Sequence, residues 1–153
     1  MSVSRMACSY DLSYLQRHHL AIPLFLEGVS AGFPSPAQDY IEQRLDLNQL
    51  CIKHPAATFF VRVDGESMID AGIHANDILV VDRSIAPEHG DIVIASLLGE
   101  LTVKQLELKP QVRLIPRNKN YATIEITEEC ELNIFGVVTS VIRNMRRNPS
   151  LQK

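Results

Sequence analysis

The chain lacks the features that announce most functions. No apolar run approaches the roughly 18–20 residues of a membrane span. Leu20 to Leu26 is apolar but short; it is broken by Pro23 and lacks the small-residue cleavage site of a secretory signal. Net charge is only −3, which argues against a generally basic nucleic-acid binder. The local basic cluster, Arg143, Arg146, Arg147 and Lys153, reads as a solvated tail. The three cysteines, Cys8, Cys51 and Cys130, are odd in number and form no C-x-x-C pair. They are expected to be reduced thiols of a cytosolic protein, with no zinc site, and Cys51 and Cys130 to pack as small hydrophobes. There is no G-x-S-x-G, and none of the five histidines sits in a triad motif. No internal repeat is present. No helical period follows residue 55, which disfavours a parallel α/β sheet.

What remains is the composition of a soluble globular domain with a tail: 153 residues, 46% hydrophobic and 22% charged. Residues 1–31 read as a weakly structured arm, with a short helix starting near Asp11 and capped by Ser9 or Asp11. Over residues 36–52 the spacing of Tyr40, Ile41, Leu45, Leu47, Leu50 and Cys51 is compatible with helix. Asp46 can cap a short helix through Leu50, and His54-Pro55 ends it. From Ala57 onward the pattern is β. Runs at Thr58 to Val63, Ile78 to Asp82, Asp91 to Ser96, Leu101 to Leu108, Gln111 to Pro116, Ala122 to Thr127 and Leu132 to Arg143 are separated by turn signals. Asp91 to Ser96 is apolar on both faces and is expected to be central. Leu98-Gly99-Glu100 is expected to be a tight turn. The fold class is mainly β, a sandwich or a partly closed barrel.

One stretch has a chemical rather than a packing logic: Val63-Asp64-Gly65-Glu66-Ser67-Met68. A strand meets a turn and delivers a lone hydroxyl, Ser67, between Glu66 and Met68. A serine hydroxyl needs a base before it is a useful nucleophile. With no histidine marked for that role, the candidate is Lys104. In strand alternation Lys104 shares a face with Thr102 and Leu106. The apolar strand Ile92 to Ala95 beside it would desolvate the amine and lower its pKa from about 10.4. The N–H groups of Glu66 and Ser67 are candidates for stabilising an oxyanion. The candidate substrate lies in the same chain. Small residues meet at Ser30-Ala31-Gly32, and Pro34 and Pro36 hold the adjoining backbone extended. A protease needs its substrate slim and extended at the scissile bond, so the stretch around Ala31–Gly32 has the right form for a cleavage site, although its composition alone equally describes a plain linker.

These residues fall within a longer likeness. The run FPSPAQDYIEQRLDLNQLCIKHPAATFFVRVDGESMIDAGI, followed by GDIVIA, GELTVKQL, LIPRN and FGVV, closely resembles the LexA/UmuD-type self-cleaving peptidases from about residue 32 to residue 146. In that resemblance Ser67 falls on the nucleophile, Lys104 on the general base and Ala31-Gly32 on the self-cleavage bond. UmuD itself has cysteine before that glycine; alanine is the LexA-type residue, and it keeps the position small. The resemblance implies a mostly antiparallel β domain over residues 32–153, an arm over 1–31 removed by self-cleavage, and a homodimer. It implies stimulation by a RecA filament on single-stranded DNA. The shortened form would then join a UmuC-like Y-family polymerase in the DNA-damage (SOS) response; a sliding clamp is a further candidate partner. A Ser-Lys pair needs no metal or organic cofactor. No membrane and no direct sequence-specific DNA binding are implied. The setting is the bacterial cytoplasm, and carriage on a mobile element fits it. The LexA-type repressor is the alternative, but it needs a helix-turn-helix before the cleavage bond, and residues 1–31 carry no such pattern.

Overall fold

The computed structural model describes residues 20–25 and 41–146. The chain divides into two compact units, one up to Leu50 and one from Cys51 onward. Among the described residues no helix is long and apolar enough to cross a membrane.

The first unit is small. Strand β1 (Ile22–Phe25) pairs antiparallel with β2 (Ile41–Leu45), with Ile22 opposite Leu45 and Leu24 opposite Gln43. Arg44 adds a side-chain hydrogen bond to the Ala21 carbonyl at 3.1 Å. The described part of the expected arm is thus extended; the helix expected near Asp11 lies outside the described residues. The helix-compatible spacing over 36–52 holds only at its end. Ile41–Leu45 is strand, and helix α1 is confined to Leu47–Cys51. Apolar spacings this short do not separate the two periods, and the pairing partner β1 decides the outcome. The Asp46 cap is present. Its Oδ1 accepts the Asn48 N–H at 2.9 Å, and its carbonyl accepts the Leu50 N–H at 3.0 Å.

The second unit is one antiparallel sheet. Its strands are β3 (Thr58–Arg62), β4 (Ile78–Asp82), β5 (Ile92–Leu97), β6 (Glu100–Glu107), β7 (Arg113–Ile115), β8 (Ile124–Glu125) and β9 (Leu132–Ile142). They lie in the order β3-β4-β9-β5-β6-β7-β8. The expected strands are all present, and β5 is central as its two apolar faces require. Ile94 joins Leu79, Val81, Val63, Met68 and Ile73 in one core cluster; Val93 and Ala95 join Leu106, Leu114 and Val137 in another. A strand buried on both sides has no polar face to alternate with, which is why its sequence is continuously apolar. The sheet stays open between β3 and β8, a mainly β, partly closed arrangement.

Two local devices shape the sheet. The β5–β6 hairpin turns at Leu98 and Gly99, with φ of 52° and 84°. Positive φ at both central residues matches the right-handed twist of the flanking strands. The long β9 crosses from β4 to β5, with bulges in both pairings. Gly136 sits at that crossing. A Cβ there would stand 2.7 Å from Val81 Cγ1 and 3.0 Å from the Asp82 carbonyl oxygen. Gly136→Ala is therefore expected to destabilise the fold by roughly 1–3 kcal/mol, the usual range for overpacking. Urea unfolding would show it as a lower midpoint with unchanged slope; a midpoint like the wild type would mean that the strands part at no cost.

Candidate active site

Ser67 stands on the loop between β3 and β4, and that loop is closed at its base. The Val63 N–H donates to the Asp77 carbonyl and the Asn76 N–H to the Val63 carbonyl, both at 2.9 Å. Arg143 pins the same place from the end of β9. Its Nε donates to Asp77 Oδ1 at 2.6 Å, and its terminal nitrogen donates to Asp77 Oδ2 at 2.5 Å and to the Gly72 carbonyl at 2.7 Å. Asp77 is only 1% exposed. The hydrogen bond from Arg143 outweighs burial and holds the Asp77 carboxyl below its usual range. The sequence places Arg143 in a solvated basic tail; in the fold it is instead the partner of a buried carboxylate. The pairing spans 66 residues, which no local charge pattern can reveal.

Within the loop, Gly65 takes φ of 84° and turns the chain out of the sheet. Met68, 1% exposed, then anchors it back in the core. Its carbonyl accepts the N–H groups of Ala71 at 3.0 Å and Ile73 at 3.2 Å. A second segment braces the loop from outside. The Arg117 N–H donates to the Ser67 carbonyl, and the Asp70 N–H donates to the Arg117 carbonyl, both at 2.8 Å. Ser67 is thus fixed by its neighbours' packing and its own backbone, leaving the hydroxyl free to point elsewhere.

It points at Lys104. Lys104 lies on β6 opposite Val93 of β5 and is 7% exposed. Its Nζ is 3.0 Å from Ser67 Oγ, 2.7 Å from Thr102 Oγ1 and 3.0 Å from the Val103 carbonyl oxygen. A neutral amine has two N–H donors and one lone pair. Thr102 Oγ1 and the Val103 carbonyl can take the two donors, leaving the lone pair for the Ser67 O–H. An ammonium would satisfy the same three partners by donating to each. A proton can therefore pass from Ser67 to Lys104 without moving the nitrogen. Burial of the amine lowers its pKa from the ordinary lysine value, because the apolar sheet solvates an ammonium poorly.

A cleft of about 300 Å³ opens beside Ser67. Val61, Leu79, Ile94, Leu101 and Val103 give it an apolar wall; Ser67 and Thr102 supply hydroxyls, and Arg62 and Asp64 also line it. Of the residues singled out in the sequence, the structure brings Ser67 and Lys104 together, with Glu66 adjacent. Ala31 and Gly32 lie outside the described residues. The N–H groups of Glu66 and Ser67 find no acceptor among the described residues. Two further residues hold the site without being singled out by the sequence. Thr102 shares a strand face with Lys104, and that alternation is the available signal. Asn118, 7% exposed, donates from Nδ2 to the Glu66 carbonyl at 2.8 Å; the pairing spans 52 residues, and its signal in the sequence is the LIPRN run, which ends on Asn118.

Comparison with known proteins shows which family the chain resembles. Residues 23–139 match the family model described as Peptidase S24-like. The chain is 55% identical to Protein SamA of Salmonella typhimurium over 124 residues, which cover 81% of this chain and 86% of that protein. It is 48% identical to Protein MucA of Escherichia coli over 131 residues, 85% of this chain and 89% of MucA. It is 38% identical to the LexA repressor of Shewanella denitrificans over 127 residues, 82% of this chain and 61% of the repressor.

Proposed function

We propose, from the premise that this chain belongs to the Peptidase S24-like family, that it is a UmuD-like protein which cuts its own Ala31–Gly32 bond and then serves an error-prone DNA polymerase. The observation that carries this reading is the 3.0 Å approach of a buried lysine amine to Ser67 Oγ. The greater identity to SamA and MucA than to the LexA repressor favours the mutagenesis role over repression.

The chemistry rests on the protonation states. Neutral Lys104 takes the Ser67 proton as Oγ bonds to the carbonyl carbon of Ala31. The carbonyl oxygen becomes an oxyanion, for which the N–H groups of Glu66 and Ser67 are the candidate donors. Collapse breaks the Ala31–Gly32 C–N bond, and Lys104 returns the proton to the leaving amine of Gly32. Lys104, neutral again, takes a proton from water as its oxygen attacks the ester on Ser67, and returns it to Ser67 Oγ as the new Ala31 carboxyl group leaves. Neither a metal nor an organic cofactor enters any of these steps.

The substrate is tethered, so the encounter is effectively unimolecular and the cleft needs little binding energy of its own. Control then rests on how often the segment around Ala31–Gly32 occupies the cleft. A RecA filament on single-stranded DNA acts by favouring the occupied state, and contributes no catalytic group. The working form is a cytoplasmic homodimer, and residues 32–153 remain to join a UmuC-like polymerase, with the sliding clamp a further partner.

Mass measurement of the purified full chain after incubation with activated RecA filament tests this directly. The expected result is loss of residues 1–31 and a new amino terminus at Gly32. A chain that stays intact, or is cut at another bond, overturns the reading.

A further inference from the structure

Which atoms orient the oxyanion donor is a separate question from which atoms donate. The Glu66–Ser67 peptide is trans, since Lys109–Pro110 is the one cis bond among the described residues. In a trans peptide the carbonyl and the N–H point in opposite directions. The Ser67 N–H therefore points away from whatever holds the Glu66 carbonyl. What holds it most closely is the Asn118 carboxamide, at 2.8 Å; the Ile69 N–H also donates to it, at a long 3.4 Å. The Asn118 side chain is itself fixed from its other end, because its Oδ1 accepts the Asn120 N–H at 3.0 Å. The Ser67 carbonyl is held independently by the Arg117 N–H at 2.8 Å. Two consecutive carbonyls are thus tied to the 117–118 segment, and the Ser67 N–H between them is left without an acceptor among the described residues. An N–H in a braced loop, next to the proposed nucleophile, is placed to meet charge that develops during the reaction.

We infer that Asn118 is a positioning residue for self-cleavage: by gripping the Glu66 carbonyl it sets the direction of the Ser67 N–H and so builds the oxyanion site. This rests on the peptidase reading above. Asn118 makes no hydrogen bond with Lys104 or Ser67 Oγ in the structure. It therefore acts on the stabilisation of the transition state and leaves the base alone.

The test uses the full chain and two variants. Asn118→Asp keeps the size of the side chain and its acceptor for Asn120, but has no donor for the Glu66 carbonyl. Asn118→Ser keeps a donor too short to reach it and guards against a folding failure of the first. Self-cleavage is followed against pH, and Ser67 is separately labelled with a small organophosphonate, whose phosphoryl oxygen uses the same donors. The expected result is a fall of about 10²-fold in the alkaline plateau rate and a similar fall in labelling. In Asn118→Ser, which adds no charge, the pH midpoint should stay where it is in the wild type; in Asn118→Asp the added carboxylate favours the ammonium and moves the midpoint up on its own account. A merely structural role would change the folded fraction, but not labelling per folded molecule. Wild-type plateau and labelling in the variants overturn the inference alone. A midpoint that moves with the rate in Asn118→Ser also overturns it, by placing the effect on Lys104. A wild-type chain that neither cleaves nor labels overturns the peptidase reading, and this inference with it.

Discussion

Ser67→Ala is expected to leave the chain full-length in the presence of RecA, ATP and single-stranded DNA, with the fold unchanged. Loss of a serine nucleophile costs on the order of 10⁶-fold where a serine peptidase has been dissected, enough to remove processing from any practical time course. The structure gives reasons why the fold should survive. The substituted atom makes one hydrogen bond among the described residues, with Lys104 Nζ. The loop is held by the buried Met68 side chain and by backbone bonds to Arg117, none of which uses the hydroxyl. Lys104 keeps Thr102 Oγ1 and the Val103 carbonyl as partners, so no buried amine is stranded. Mass spectrometry over hours, with circular dichroism and gel filtration as controls, reads the result. Processing at Ala31–Gly32 that persists in a folded variant would remove Ser67 from the chemistry.

The sheet of the second unit is legible in the sequence because its strands are made of β-branched and apolar residues between strong turn signals. Ile92 to Ala95 can even be placed at the centre, since nothing in it suits water. The first unit is not legible. Residues 22–25 include a proline, and Ile41–Leu45 carries a spacing that either period can absorb, so only the pairing of the two identifies them as strands. At the candidate site, strand alternation puts Thr102 and Lys104 on one face, and the β5 run predicts the desolvation seen as a lowered lysine pKa. The meeting of Ser67 with Lys104 comes from resemblance rather than pattern, because the contact spans 37 residues. Asn118 and Arg143 act over still longer separations, on a backbone carbonyl and on a buried aspartate. Periodicity records which face a residue lies on. It carries nothing about what that face meets after the chain has crossed the sheet.

Removing the base should match removing the nucleophile, and the pH dependence should identify it. Lys104→Ala leaves Ser67 with no group to take its proton, and a loss of several orders of magnitude is expected. Lys104→Arg should be as inactive at every pH, because a guanidinium stays protonated. In the wild type only the neutral amine can act. Below its pKa the neutral fraction grows tenfold per pH unit, so the cleavage rate should climb with that slope and level off once the amine is deprotonated. Burial lowers that pKa, so the plateau should begin below about 10.4, the value for an exposed lysine. A histidine base would level off near pH 7, and a flat profile from neutral to strongly alkaline pH would exclude a lysine base. The same burial makes a statement about stability. With the folded pKa depressed, the unfolded chain binds the proton more readily between the two values, so stability should rise with pH through that window. Below it, the ammonium form costs stability in full. Lys104→Met, which fills the space without the charge, should therefore unfold at higher denaturant than the wild type at neutral pH while cleaving nothing. That opposition of stability and activity belongs to a buried amine kept for chemistry; a lysine whose head group reached solvent would give a variant no more stable than the wild type.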